Sequence, residues 1–369
     1  MLTIKLIVLS LFSVTHAQQV LDSTATRKCH VLSLSGGGAK GAYEAGVLKT
    51  VTDMLSAEEA HYDVVSGVSV GSINAALLSL YGEGEDEQMA DHLLRLWGDL
   101  SNPDVYTTWA GAKYNPIEPI QEHTGYLNNT PLFEYLVGVM KPFNNVVKRR
   151  TLVSAVDAIS GDYVSFNLYD EPGAKKTSIE FKAKAVQSSA SVPFLFPAAN
   201  MTDYGYDLDL LDGGSAWNNN MVSAINECHK LEGITDDSQI VVDVIVLSPA
   251  GQLDPMNTTS TNPTLDLIPS TLKYYLRNKE IKDHYSDLSD IVEFMQANPS
   301  VTYRYYFSPE ETLLPEYYLL QFDQEYTHKL TLWGLAESKK VIEAGPGKSF
   351  DKLWLQHAEM MAKRGVKQP

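Results

Sequence analysis

The chain contains very little cysteine. Of its 369 residues, only Cys29 and Cys228 carry a thiol. A framework of several disulfides is therefore excluded. One bridge between these two residues would form in an oxidising compartment, and two buried thiols are the alternative. The sequence leaves both states open.

Positive charge is also scarce. The chain has 29 lysines and arginines against 46 aspartates and glutamates, which gives a formal net charge of −17. Nucleic acids and anionic lipid surfaces attract basic patches, so we expect no nucleic-acid partner. Any contact with a membrane is expected to be apolar or to involve neutral head groups.

The sequence has no apolar run long enough to cross a bilayer, which takes roughly 20 residues. The N-terminal run from Leu6 to Val14 is far shorter. It follows the single charge of Lys5 and precedes small residues at Thr15 and Ala17, the pattern of a signal peptide over residues 1–17. We therefore expect the secretory pathway, with an extracellular location or a lysosome-like or vacuole-like lumen.

Three glycosylation triplets fit this expectation. They begin at Asn128, Asn200 and Asn257, and none has proline in the middle position. Such triplets arise often by chance, so they give only weak support for a secreted glycoprotein.

What is present indicates an α/β protein. Hydrophobic residues make up 44% of the chain, enough for a substantial core. A short apolar strand at Val31–Ser35 and another at Asp63–Ser66 are each followed by a helix-like segment, a pattern typical of parallel βα units. Further strands are predicted at Thr151–Ala158, at Asp162–Tyr169 and in the apolar run "QIVVDVIVLSP".

The last third of the chain is predicted to be mainly helical. Two helices are predicted in "TLDLIPSTLKYYLRNKEI" and "SDLSDIVEFMQ", and a third in "TLWGLAESKKVIEAG", around one strand, "TYRYYF". No internal repeat or linker separates this region from the rest. A single domain with a helical C-terminal portion is the simplest interpretation.

Gly67, Ser69 and Gly71 form a G-x-S-x-G pattern directly after the second predicted strand. In a tight strand-to-helix turn, side chains two residues before and after the serine would collide with neighbouring backbone, so glycine is required there. The turn exposes the hydroxyl at a helix N-terminus, which favours developing negative charge. The pattern predicts a nucleophilic serine, and a glycine-rich turn with a capping serine is the alternative.

Another glycine-rich loop follows the first strand. Residues 36–41, "GGGAKG", formally match G-x-G-x-x-G, which can bind a pyrophosphate. The same backbone N–H groups can instead hold the oxyanion of an ester under attack. In that interpretation the loop lies at the same sheet edge as Ser69, and the N–H of Val70 is a further donor.

A serine hydroxyl needs a base. The late histidines, His284, His328 and His357, lie in helix-like contexts that would not present a side chain at a loop tip. Asp212 is a better candidate, because it ends the apolar strand "LDLL" and precedes Gly213 and Gly214. Burial would raise the pKa of its carboxyl group toward the working range.

A structural role for Asp212 remains an alternative, as a turn or helix-capping residue. A calcium loop built on Asp207, Asp209 and Asp212 is not expected, because leucines fill the intervening positions and no glutamate follows at the required spacing.

These motifs together resemble the patatin-like phospholipases. The resemblance is carried by GGGAKG, GVSVG, "SSASVPFLFP" and DGG, in the order and rough spacing of that family, and it covers about residues 29–250. It implies a three-layer α/β/α fold with a central, mostly parallel sheet. The catalytic domain would span residues 28–250, and residues 251–369 would form a helical portion packed on it.

The resemblance also implies a function. Ser69 would be the nucleophile and Asp212 the proton acceptor of a Ser-Asp dyad, with no metal and no cofactor. The substrate would be a phospholipid or another acyl lipid at a micelle or membrane surface. The oxyanion hole would be formed by a loop and one further amide: Gly36, Gly37, Gly38, Ala39, Lys40, Gly41 and Val70.

Two other functions remain open. A dinucleotide-binding oxidoreductase would use the first glycine-rich loop and needs an acidic residue about 20 positions further on, at the end of a second strand; Asp63 is at about that distance but begins its strand. A secreted storage or lipid-binding protein with the same fold would need none of the three chemical motifs.

Overall fold

The computed structural model describes residues 27–110, 122–249, 253, 270–313 and 319–363. The predicted signal peptide, residues 1–17, and the triplet at Asn257 lie outside these ranges. Within them, no helix combines the length and the apolar character needed to cross a membrane.

A mixed eight-stranded sheet forms the centre of the molecule, with the order β10-β9-β1-β2-β5-β8-β7 and with β6 paired to β5. The first five strands in this order run parallel, and β6, β7 and β8 add antiparallel pairs. The strands of this sheet are β1 (Cys29–Leu34), β2 (Val64–Val68), β5 (Arg150–Asp157), β6 (Tyr163–Asn167), β7 (Ala199–Asn200), β8 (Asp209–Asp212), β9 (Ile240–Ile245) and β10 (Thr302–Phe307). A separate two-stranded ribbon joins β3 (Thr107–Thr108) to β4 (Leu127–Asn128).

The helices that the structure describes cover both faces of this sheet. They are α1 (Gly41–Met54), α2 (Ala57–Ala60), α3 (Val70–Leu78), α4 (Asp86–Asp99), α5 (Asn102–Val105), α6 (Thr130–Met140), α7 (Ile179–Ser189), α8 (Met221–Cys228), α9 (Ser270–Ala297), α10 (Gln324–Ala344) and α11 (Lys348–Lys363). Successive residues of a strand point to opposite faces. Val31 accordingly joins the core with α8, α9 and α11, whereas Leu32 joins the core with α1, α3, α4, α6 and α7. The predicted three-layer α/β/α architecture is confirmed.

The central strand β5 brings two strand ends together. β2 pairs with the first part of β5, with Val68 opposite Ser154, and β8 pairs with its last part, with Asp212 opposite Ala155. Because β6 occupies the other edge of β5, β2 and β8 lie on the same edge and approach end to end. The residues that follow them, Ser69 and Gly213, therefore meet.

One expectation for the C-terminal region was wrong, and one helix was missed. The helices predicted at "TLDLIPSTLKYYLRNKEI" and "SDLSDIVEFMQ" are one helix, α9, within the described residues, and the first residues of that segment lie outside them. The polar stretch between the two predicted helices contains no glycine or proline that would end a helix. Helix α11 was not predicted. The strand "TYRYYF" is present as β10 and extends the sheet beside β9.

Candidate active site

Ser69 lies in the sharp turn between β2 and α3. Its φ angle is +52°, a region that residues other than glycine rarely adopt. The turn needs glycine on both sides, because a Cβ on Gly67 would lie 2.2 Å from the carbonyl oxygen of Gly71, and one on Gly71 would lie 2.5 Å from that of Leu34. The geometry is therefore that of a nucleophile elbow.

A short chain of hydrogen bonds holds this turn in place. The N–H of Ser69 donates to Oγ of Ser189 over 2.9 Å, and that hydroxyl donates to the carbonyl oxygen of Ser154 over 2.5 Å. Ser189 is fully buried at the end of α7. The turn after β2 is thus anchored to both α7 and β5.

Asp212 is the last residue of β8 and is 2% exposed. Its Oδ1 accepts the N–H of Gly214 over 2.8 Å, while Oδ2 has no hydrogen-bond partner in the part of the chain that the structure describes. Burial raises the pKa of Asp212, and the positive charge of Lys279 and the side chain of Ser69 oppose this rise. A carboxylate with a raised pKa is a stronger base.

Most N–H groups of the glycine-rich loop are already used inside the protein. The N–H of Gly36 donates to Oδ1 of Asn218 over 3.0 Å, and that of Ala39 donates to the carbonyl oxygen of Leu319 over 2.8 Å. The N–H of Lys40 donates to the carbonyl oxygen of Gly37 over 3.3 Å, and that of Gly41 donates to those of Ala39 and Gly38. These bonds fix the shape of the loop between β1 and α1.

Three other N–H groups are open to a ligand. Among the described residues, those of Gly37, Gly38 and Val70 have no hydrogen-bond partner. All three residues line one cleft together with Ser69 and Asp212. The site therefore offers a hydroxyl, a carboxylate and several free donors around one small space.

The walls of this cleft are mostly apolar. The apolar side chains come from distant parts of the chain: Val70, Ile73, Val105, Leu132, Ala190, Val192, Phe196, Leu319, Leu320 and Phe322. Such a lining suits a hydrocarbon chain better than a charged ligand. Its polar members are few, and they include Asn218 and Lys279 besides the serine and the aspartate.

None of the late histidines is part of the cleft as described. His284 is buried on α9, and burial lowers its pKa. His328 and His357 lie on α10 and α11. Asp212 is thus the carboxylate that accompanies Ser69. Within the described ranges, no three potential ligands come together as a metal site.

The comparison with protein families agrees with this geometry. The model of the patatin-like phospholipases matches residues 32–225, more than half of the chain. The chain belongs to the patatin-like phospholipase family. The resemblance predicted from the sequence motifs is thereby confirmed.

The individual proteins to which this chain is similar share little sequence identity with it. A cUMP-AMP-activated phospholipase of Escherichia coli is 28% identical over 219 residues, which are 58% of this chain and 63% of that protein. The chain thus spans less than two thirds of that relative. Human GIVD cytosolic phospholipase A2 is 10% identical with a TM-score of 0.41, over 90% of this chain and 60% of that one. VipD from Legionella pneumophila is 12% identical with a TM-score of 0.36, over 87% and 67%.

Several cleft residues of this patatin-like chain were not predicted. Asn218 follows the DGG motif, and Lys279, Leu319 and Phe322 come from the region after the family match. None of them stands in a motif of its own. Only the fold, which packs α9 and the segment before α10 against the motif-bearing loops, brings them to the cleft.

Proposed function

We propose that the protein is a serine lipid acyl hydrolase of the phospholipase A or lysophospholipase type. Its substrates would be carboxylic esters of phospholipids or other acyl lipids. Membership of the patatin-like phospholipase family supports lipid hydrolysis. The observation that carries the finer proposal is the meeting of Ser69, Asp212 and free backbone donors in one apolar cleft.

In the proposed first step, Asp212 accepts the hydroxyl proton of Ser69 while Oγ attacks the ester carbonyl. The raised pKa of Asp212 fits this role. The negative charge on the carbonyl oxygen is held by N–H groups at the N-terminus of α3 and in the glycine-rich loop. We assign this oxyanion hole to Gly37, Gly38 and Val70, because their N–H groups are free among the described residues.

The intermediate then collapses. The bond to the leaving alcohol breaks, Asp212 returns the proton to that alcohol, and an acyl-Ser69 ester remains. Water, deprotonated by Asp212, hydrolyses this ester and restores the serine. Gly36, Ala39, Lys40 and Gly41 shape the loop in this scheme without donating their N–H groups, since those are already bonded.

The lipid surface on which the protein acts and its compartment are proposed from separate observations. The apolar cleft and the net charge of −17 favour a micelle or a membrane of neutral head groups. Cys29 and Cys228 form a disulfide, which favours an oxidising compartment such as the secretory lumen. Asn200 is exposed and so accessible to glycosylation, whereas Asn128 is partly buried.

The test is covalent labelling with a fluorophosphonate, followed by identification of the modified residue. We expect labelling of the wild type at Ser69 and none in Ser69→Ala. Ser215→Ala, a variant of an exposed serine near Asp212, is the matched control and should label normally. Equal labelling of the wild type and Ser69→Ala would contradict the proposal.

The role of Asp212 needs a separate experiment. Hydrolysis of p-nitrophenyl esters in EDTA should fall by orders of magnitude in Asp212→Asn and stay near the wild-type rate in His284→Ala, His328→Ala and His357→Ala. If one of the histidine variants is inactive while Asp212→Asn stays active, the Ser-Asp dyad is wrong and a triad with that histidine takes its place.

A further inference from the structure

Asn218 connects the turn after Asp212 to the glycine-rich loop. It is 4% exposed and lines the cleft. Its Oδ1 accepts the N–H of Gly36 over 3.0 Å, and its Nδ2 donates to the carbonyl oxygen of the same residue over 3.3 Å. One side-chain amide thus holds both backbone groups of Gly36.

Asp287, a residue of α9, fixes the orientation of this amide. Oδ2 of Asp287 accepts from Nδ2 of Asn218 over 3.5 Å and from Oγ of Ser248 over 2.9 Å. Burial raises the pKa of Asp287 to about 7. Above that pH its carboxylate only accepts hydrogen bonds, so the NH₂ group of Asn218 faces Asp287 and its oxygen faces Gly36. Asp287 is itself 2% exposed.

Gly36 directly precedes Gly37 and Gly38, whose free N–H groups we assign to the oxyanion hole. A displacement of Gly36 changes the direction of both. Misplacing such groups by about 1 Å can cost roughly 10²-fold in rate. Asn218 also follows Asp212 in the same turn, so it fixes the donors relative to the proposed base.

We propose that Asn218 and Asp287 are positioning residues that set the geometry of the oxyanion hole. The proposal rests on the function proposed above. It makes α9, which lies beyond the match to the family, part of the catalytic apparatus. Neither residue touches the reacting atoms, and both act through the backbone of Gly36.

The first test separates positioning from a merely structural role. Asn218→Leu should lower kcat by about 10²-fold and leave KM within about two-fold, counted per active site by fluorophosphonate titration. A trifluoromethyl ketone, which forms an oxyanion with Ser69, should bind more weakly by the same factor, whereas the matched methyl ketone should bind equally. Asn219→Leu is the control, because Asn219 is also buried but bonds to Ser33.

The second test exchanges the two side chains. Asn218→Asp sets two carboxylates against each other at a pH above the pKa of Asp287, which burial raises to about 7, and should be strongly impaired there. Adding Asp287→Asn restores a donor opposite an acceptor, because the carboxylate at position 218 would then accept from both Gly36 and the new amide at position 287. The double variant should recover at least ten-fold in kcat over Asn218→Asp, and this recovery remains measurable if Asn218→Leu does not fold.

The results distinguish this proposal from the proposed function. If the wild type shows no Ser69-dependent hydrolysis, the function itself fails. If the wild type hydrolyses esters, but Asn218→Leu keeps its kcat or loses affinity for both ketones alike, the positioning role is wrong. If the double variant Asn218→Asp/Asp287→Asn does not recover kcat over Asn218→Asp, this result contradicts the positioning role independently.

Discussion

Lys279 stands next to the proposed base, although it belongs to α9. It lines the cleft and pairs with Asp283 one helical turn further on. Its positive charge opposes the rise that burial imposes on the pKa of Asp212, whereas the negative charge of Asp283 adds to that rise. Besides burial, residues outside the motifs therefore contribute to the basicity of Asp212.

Replacement of Lys279 should change the pH dependence in a defined direction. Lys279→Met removes the charge that lowers the pKa of Asp212 and leaves Asp283 unpaired, so the pKa should rise. Asp212 must be deprotonated to act as a base, and activity is lost as the pH falls through its pKa. The acid limb of the kcat/KM profile for a soluble ester should therefore move to higher pH.

Lys282→Met provides the control for this profile. Lys282 is exposed on the same helix and donates to the carbonyl oxygen of Ser215, so its loss should leave the acid limb in place. If the acid limb of the Lys279→Met profile stays at the wild-type pH or moves to lower pH, Lys279 does not lower the pKa of Asp212.

The residues that could be predicted are those with local signals. Ser69 and Asp212 each lie between an apolar strand and glycines, and the structure brings both to one cleft. Asn218, Lys279 and Asp287 have no such context, because their contacts exist only after distant segments pack. The loop at residues 36–41 could equally have held a pyrophosphate until Ser69 was placed beside it.

At the scale of elements, α1 and α10 pack with their backbones unusually close. A Cβ on Gly46 would lie 2.2 Å from the carbonyl oxygen of Thr331, and one on Gly334 would lie 2.2 Å from that of Tyr43. Each helix thus contributes a glycine at the point where the other helix crosses. α1 begins directly after the glycine-rich loop, so this contact also supports the candidate site.

Adding a methyl group at either glycine should separate the two helices. We expect Gly46→Ala and Gly334→Ala each to lower the free energy of unfolding by about 1–3 kcal/mol, the usual cost of overpacking. The double variant should cost less than the sum, because one separation relieves both clashes. Urea denaturation measures these changes.

Gly138→Ala is the matched control within a helix. It lies in α6, and no described atom would lie within 4 Å of its Cβ. Alanine should be neutral there or stabilise by roughly 0.5–1 kcal/mol. If Gly46→Ala and Gly334→Ala behave like Gly138→Ala, the close packing of α1 and α10 is wrong.

The periodic patterns predicted most elements but not their extent or direction. β1, β2, β5 and β9 follow from apolar runs, since such runs reflect burial on both faces. The polar segment inside α9 suggested a break, but it continues one long helix, in which Lys282 is exposed and His284 is buried. The antiparallel direction of β8 could not be predicted, because strand pairing depends on distant residues.

At the scale of the whole molecule, the disulfide links the two ends of the family match. Cys29 lies on β1 and Cys228 ends α8, with 5.8 Å between their Cα atoms. Both are fully buried. The sequence left a bridge and two thiols open, because only the packing of α8 against β1 brings the two sulfurs together.

This bridge closes a loop with a sequence separation of 199 residues. A cross-link stabilises a protein mainly by restricting its unfolded chain, so Cys29→Ala/Cys228→Ala should lower the free energy of unfolding by about 2–4 kcal/mol. Neither cysteine lines the cleft, so kcat per active site should be unchanged at temperatures where the variant is folded. Urea denaturation with and without a reductant measures the effect: the wild type should lose stability on reduction, and the double variant should not respond. A wild type whose midpoint is the same after complete reduction, verified by thiol titration, would show that the bridge does not stabilise the fold.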